Sequence, residues 1–183
     1  MSADPPMRRE AFERLLGELR PKLHRYGARM TGSVIDGEDV VQEAILKALE
    51  AFGEDVANPE GWLFRITHNA ALDHLRRHAR QEAISLEDDM IVDPSAPVED
   101  RQAAASSLRT FMRLPLAQRS SIILMDVLGY SLEEIGGVTE MSVSAIKAAL
   151  HRGRARLREL AAEPDDRPLP RLDPAERALK RST

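Results

Sequence analysis

The sequence contains no cysteine. Disulfides, thiolate metal sites, iron–sulfur clusters and a cysteine nucleophile are therefore excluded. Aromatic residues make up only 4% of the chain. Its core must come mainly from Leu, Ala, Ile, Val and Met, which suits helices that meet along aliphatic seams. No apolar run approaches the roughly 18 residues that a membrane-spanning helix needs. The opening residues, MSADPPMRRE, lead into an amphipathic stretch, not the apolar segment of a secretory signal. These features predict a cytoplasmic protein. Excess positive charge is missing too: the formal net charge is −4, so any surface for a polyanion must be local. There is no glycine-rich phosphate loop and no nucleophile–base constellation, so neither enzymatic activity nor a cofactor is expected.

What is present is a chain of 183 residues, 43% hydrophobic and 31% charged, sufficient for one domain of ordinary size or two small ones. Phe12, Leu15, Leu16, Leu19, Leu23, Tyr26 and Met30 recur at steps of three and four, which predicts a first helix. Pro21 falls inside it and predicts a break or kink. A second helix is expected from about Asp36 or Gly37, with Val41, Ala44, Ile45, Ala48 and Leu49 as its apolar stripe. Asn58-Pro59 reads as N-cap and first position of a third helix. That helix starts with Trp62 and Phe64 and becomes basic at Arg76, Arg77 and Arg80. Aromatics beside cations suit single-stranded nucleic acid, though either ring taken alone is better read as a core residue.

From Glu82 to Asp100 there are seven acids, no Lys or Arg, and two prolines, which marks a linker. Helical patterning returns over Arg101–Leu114 and Ala117–Leu128. Ser131 and Glu134 then have capping-box spacing and open a short helix. After a turn at Thr139–Met141, Ser142 caps the last helix. Short helix, three-residue turn and longer helix form the helix-turn-helix pattern. On the last helix Val143, Ile146, Leu150, Leu157 and Leu160 fall in the core-facing sector. Ser144, Ala148, His151 and Ala155 lie opposite, flanked by Lys147 and Arg152. Between Ser144 and Leu160 five Lys/Arg face one acid, Glu159. Small residues allow close approach to a surface, and the cations suit phosphates and base edges.

Two segments carry a family resemblance. Asp36–Arg77 holds D-x-V-Q-E and W-L-x-x-I-x-x-N-x-x-x-D-x-L-R-R. Leu114–Leu157 holds L-P, G-Y-S-x-E-E-I and I-K-x-x-L-H-R-x-R-x-x-L. Together, in this order, they resemble regions 2 and 4 of a bacterial RNA polymerase sigma factor of the sigma-70 superfamily, in the extracytoplasmic-function group. The resemblance implies an all-α protein: sigma domain 2 over residues 1–81, an acidic linker over 82–100, sigma domain 4 over 101–162 and a Pro-rich tail over 163–183. It implies core RNA polymerase as partner, at the β′ clamp and β flap, together with promoter DNA and an anti-sigma factor. Asp39, Gln42 and Glu43 would bind polymerase. Asn58, Trp62, Arg65, Asn69, Arg76 and Arg77 would serve the −10 element, with a flipped base held near Gly53–Asn58. Ser144, Lys147, Ala148, His151 and Arg152 would read the −35 element. Ala148 and Ala149 stand where the family often has polar or basic residues.

Two rivals remain. A transcription regulator could use the same helix-turn-helix alone, but it would have no need of the first segment. His74 and His78, four apart with Asp73 adjacent, could bind zinc. The glutamate of a zinc-protease helix is absent, however, since Leu75 follows His74; no metal is expected.

Overall fold

The computed structural model describes residues 9–53, 56–82 and 108–162, and all regular structure among them is helical. Three long helices come first: α1 (Arg9–Thr31), α2 (Val34–Ala51) and α3 (Pro59–Glu82). Residues 108–112 are helical. Then follow α4 (Leu116–Ile122), continued by a π-helical turn (Ile123–Val127), α5 (Leu132–Thr139) and α6 (Val143–Ala162). The predicted linker beyond Glu82, the tail from residue 163 and part of the Gly53–Asn58 loop lie outside the described residues.

The α1 periodicity is realised as a buried stripe of Phe12, Leu16, Leu19, Leu23, Tyr26 and Met30. The helix runs through Pro21 without the break that the sequence allowed. Pro21 faces solvent, while Leu19 and Leu23 on either side are buried. Tertiary packing thus outweighs one lost helical hydrogen bond. Helix α2 starts at Val34, earlier than predicted, because Ser33 is its N-cap and accepts from the Asp36 backbone N–H at 3.2 Å. Gly37 has a different task. A Cβ there would lie 2.5 Å from Ala28 N and 2.6 Å from Ala28 Cα, so α1 and α2 meet backbone to backbone. Helix α3 opens as predicted, with Asn58 Oδ1 accepting from the Gly61 N–H at 3.0 Å.

Five of the seven aromatics, Phe12, Tyr26, Phe52, Trp62 and Phe64, gather in this first bundle. Phe12 stacks on Phe52 at 4.0 Å between centroids and meets Trp62 at 6.0 Å. Tyr26 contacts Phe64 edge-on, and its hydroxyl shares a 2.7 Å hydrogen bond with His68 Nδ1. Burial pulls the His68 pKa down to about 4 and pushes that of Tyr26 up. His68 is therefore a neutral core residue at neutral pH.

The second bundle is smaller and aliphatic, with Ile122, Ile123, Leu124, Ile135, Val138, Ile146 and Leu150 buried. Its geometry is fixed by caps. Ser131 Oγ accepts from the Glu134 N–H at 3.2 Å, and Glu134 Oε2 accepts from the Ser131 N–H at 2.7 Å, completing the predicted capping box. Glu140 ends α5 in the left-handed conformation, at φ 60°. Ser142 Oγ then receives the Ala145 N–H at 3.2 Å.

The two bundles rest on each other, a contact that the sequence patterns did not foretell. The Arg119 side chain is buried and donates to Met30 O at 2.7 Å, Met112 O at 2.6 Å and Leu114 O at 3.1 Å. It thereby satisfies a carbonyl in the last turn of α1. Tyr130 packs on Phe64 at 5.1 Å and donates its hydroxyl to Glu60 Oε1 at 2.7 Å.

Candidate nucleic-acid and partner interfaces

Helix α6 presents the face that the helical wheel predicts. Ser144, Lys147, His151 and Arg152 are exposed, and Ala148 and Ala155 are half-buried between them. Lys147, His151 and Arg152 have no hydrogen-bond or ion-pair partner among the described residues. A shallow groove lies on each side of the helix. One is lined by Met125, Leu132 and Lys147, the other by Pro115, Gln118, Arg152 and Ala155. Two other cations on α6 are engaged: Arg154 holds Asp126 with contacts of 2.5 and 3.0 Å, and Arg156 holds Glu159 at 3.0 Å.

The buried side of α6 corrects the wheel in detail. Val143 and Leu157 are only half-buried, whereas Ala149 and Gly153 are buried with Ile146, Leu150 and Leu160. A Cβ on Gly153 would come within 2.7 Å of Ile122 Cδ1 and 3.1 Å of Gln118 Cβ. Helices α4 and α6 therefore cross closely at Gly153. The apolar residue at 149 therefore serves packing.

On α2, Asp39 and Gln42 are exposed and Glu43 is half-buried. Gln42 donates to Glu38 at 3.2 Å. Glu43 accepts from Lys47 at 2.7 Å and from Arg77 at 2.8 Å, and these bonds lower its pKa. The structure thus brings together Glu43 and Arg77, which the resemblance places in separate sites. Arg76 pairs with Asp73 at 3.2 Å.

Asn58, Trp62 and Arg65 share one wall of a cleft of about 420 Å³ with Val56, Ala57 and Gly61. Glu134 and Gly137 of α5 also line it. Asn69 is exposed further along α3. Trp62 is half-buried and leans on Phe12, so part of its ring is core. Phe64 is fully buried and cannot stack on a base, which removes it from the aromatic surface that the sequence suggested. Arg119 was missed by sequence reasoning. A single cation two residues after an apolar-flanked Pro-Leu-Ala carries no periodic signal, and only the fold delivers Met30 O to it.

A bundle of three long helices followed by a helix-turn-helix unit, each with its own polar face, is the architecture of sigma-70 proteins. The sigma-70 region 2 family matches residues 15–81, and the sigma-70 region 4 family matches residues 108–157. The extracytoplasmic-function sigma factor SigM of Mycobacterium tuberculosis is 34% identical over 156 residues, covering 83% of this chain and 78% of SigM. Among solved structures, CnrH in complex with the cytosolic domain of CnrY is 28% identical with a TM-score of 0.60, covering 84% of this chain and 89% of that one. Sigma factor RpoE in complex with the anti-sigma factor NepR from Bartonella quintana shares the fold, at 23% identity, TM-score 0.68 and 86% and 99% coverage of the two chains. The chain belongs to the extracytoplasmic-function group of RNA polymerase sigma factors. Its function is to direct core RNA polymerase to promoter DNA for transcription initiation; factors of this group are not enzymes. No described helix is long and apolar enough to cross a membrane.

Proposed function

We propose that Asp39, Gln42 and Glu43 on α2 dock on the β′ clamp, and that the second bundle engages the β flap. In this reading Asn58, Trp62, Arg65, Asn69, Arg76 and Arg77 open and hold the −10 element. Ser144, Lys147, Ala148, His151 and Arg152 read the −35 duplex. The observation that carries the reading is the α6 face: three unpaired cationic or hydrogen-bonding side chains around a shallow floor of Ser144, Ala148 and Ala155. Arg76 and Arg77 are held only by exposed ion pairs, worth about 0–1 kcal/mol each, which phosphates can replace.

The packed arrangement of the bundles belongs to the protein off the promoter. Two elements centred at −10 and −35 are separated by about 85 Å along B-DNA, while α6 is only about 30 Å long. Binding both therefore requires α5 to leave the cleft beside Trp62. The same reading places the protein in the cytoplasm as a non-enzymatic factor, with domain 2 over 1–81 and domain 4 over 101–162. An anti-sigma factor is its regulator; the RpoE–NepR complex, on the same fold, supports that role.

The test is run-off transcription with core polymerase over a promoter library. Enrichment of a shared pair of −10 and −35 elements is expected. Tight binding of the isolated protein to duplex promoters, with no stimulation of core polymerase, would replace this reading with the stand-alone regulator.

A further inference from the structure

Asp36, His74 and His78 are not among the residues assigned above to polymerase, the −10 element or the −35 element. Asp36 is on the first turn of α2, and the two histidines occupy one face of α3, four residues apart. The sequence offered Asp73 as the neighbouring carboxylate, but Asp73 is taken by Arg76. The fold supplies Asp36 instead, with its Oδ1 3.7 Å from His74 Nε2. The His78 ring lies against that of His74, with centroids 4.2 Å apart and planes inclined by 29°. One ligand atom from each of the three residues falls within 4.8 Å of the others.

His74 is the informative member. It is only 9% exposed, and its Nε2 is buried without a hydrogen-bond partner. The 3.7 Å gap to Asp36 is too long for a hydrogen bond. It is close to the separation that two donors take around a shared ion. With bonds of about 2.0–2.2 Å and a tetrahedral angle, ligand atoms stand about 3.4 Å apart. Asp36 and His78 are half-buried, so small side-chain rotations can bring in the remaining ligands. The nearby cation Arg77 is held by Glu43 at 2.8 Å.

We propose that Asp36, His74 and His78 form a site for one divalent cation of the zinc class, with water completing a four-coordinate shell. Two imidazoles and a carboxylate select zinc, cobalt, nickel or copper over magnesium and calcium, which need more oxygen ligands. The ion would tie the first turn of α2 to the outer half of α3, a structural tie independent of the polymerase and promoter contacts.

The test uses the full chain, stripped of metal and titrated with cobalt. The visible ligand-field absorption of a four-coordinate ion should saturate at one cobalt per chain and be displaced by zinc. Zinc should also raise the thermal midpoint by about 4 °C or more. His78→Ala and Asp36→Asn each replace a half-exposed side chain, and retained helical circular dichroism will show that they fold. Each should weaken zinc binding at least tenfold and abolish the thermal shift. Displacement of cobalt by equimolar magnesium would overturn the proposal, as would failure to bind cobalt. Unchanged zinc affinity in both variants would overturn it too, since the ion would then sit elsewhere, for instance at His24 or His151.

Discussion

In the first bundle Glu43 sits between Lys47 and Arg77, and Asp73 holds Arg76. On α6, by contrast, Lys147, His151 and Arg152 stand without partners among the described residues. The cores differ in the same sense. The first is built on long helices around Phe12, Tyr26, Phe64 and a neutral His68. The second joins short elements through caps and a helix crossing at Gly153. The α2–α3 face of the first bundle therefore presents Glu43 already neutralised and oriented by Lys47 and Arg77, which suits a protein partner. The second keeps free cations on a small, rigid platform, suited to a polyanion.

The comparison can be broken most severely at the helix crossings. Gly37→Ala should cost about 3 kcal/mol or more, because its Cβ meets the backbone of Ala28, which cannot yield. Gly153→Ala meets chiefly the end of the Ile122 side chain and should cost less, about 1–2 kcal/mol. Urea denaturation of the two variants checks the order. If Gly153→Ala is the more damaging, the second bundle is the more rigid one.

Arg119→Met is next. It leaves the carbonyls of Met30, Met112 and Leu114 without their donor and should cost roughly 2–3 kcal/mol. It should also expose the α1 terminus to hydrogen exchange. Unchanged protection there would mean that the contact between the bundles does not depend on Arg119.

Acid should act mainly through the first bundle. The His68 pKa is depressed to about 4, so the unfolded chain binds the proton more tightly than the folded one. That contribution is complete above the unfolded value of about 6.5 and is lost as pH falls towards 4, by about 2 kcal/mol at pH 5. His68→Gln, which can still pair with Tyr26, should flatten the profile. An equally steep profile would assign the acid sensitivity to other groups.

The smallest effect is expected at the capping box. Ser131→Ala should cost about 1 kcal/mol and fray α5, measurable by amide exchange on Leu132–Ile135.

The sequence was most legible where a single local rule decides the outcome. The Asn58, Ser131 and Ser142 caps and the α6 face follow from residues within one turn of each other. It was less legible where distant backbone intervenes. Pro21 looked like a breaker because the packing of Leu19 and Leu23 is not visible locally. Gly37 resembled a helix start, although its neighbour across the α1–α2 crossing is what requires it. The link from Glu43 to Arg77 and the arrival of Asp36 beside His74 join residues more than 30 positions apart, and no spacing pattern encodes either.

The measurement that bears most directly on the account is promoter-library transcription by core polymerase with Lys147→Ala, Arg152→Ala and Arg158→Ala. A base-edge contact is worth about 1–3 kcal/mol at one position, whereas a phosphate contact shifts all sequences together. Lys147→Ala or Arg152→Ala should change preference at particular −35 positions. Arg158→Ala, further along the helix, should lower output uniformly and reduce its salt dependence. If all three variants lower output without altering any preference, α6 only positions the protein on DNA, and the reading of its unpaired face as the sequence reader is wrong.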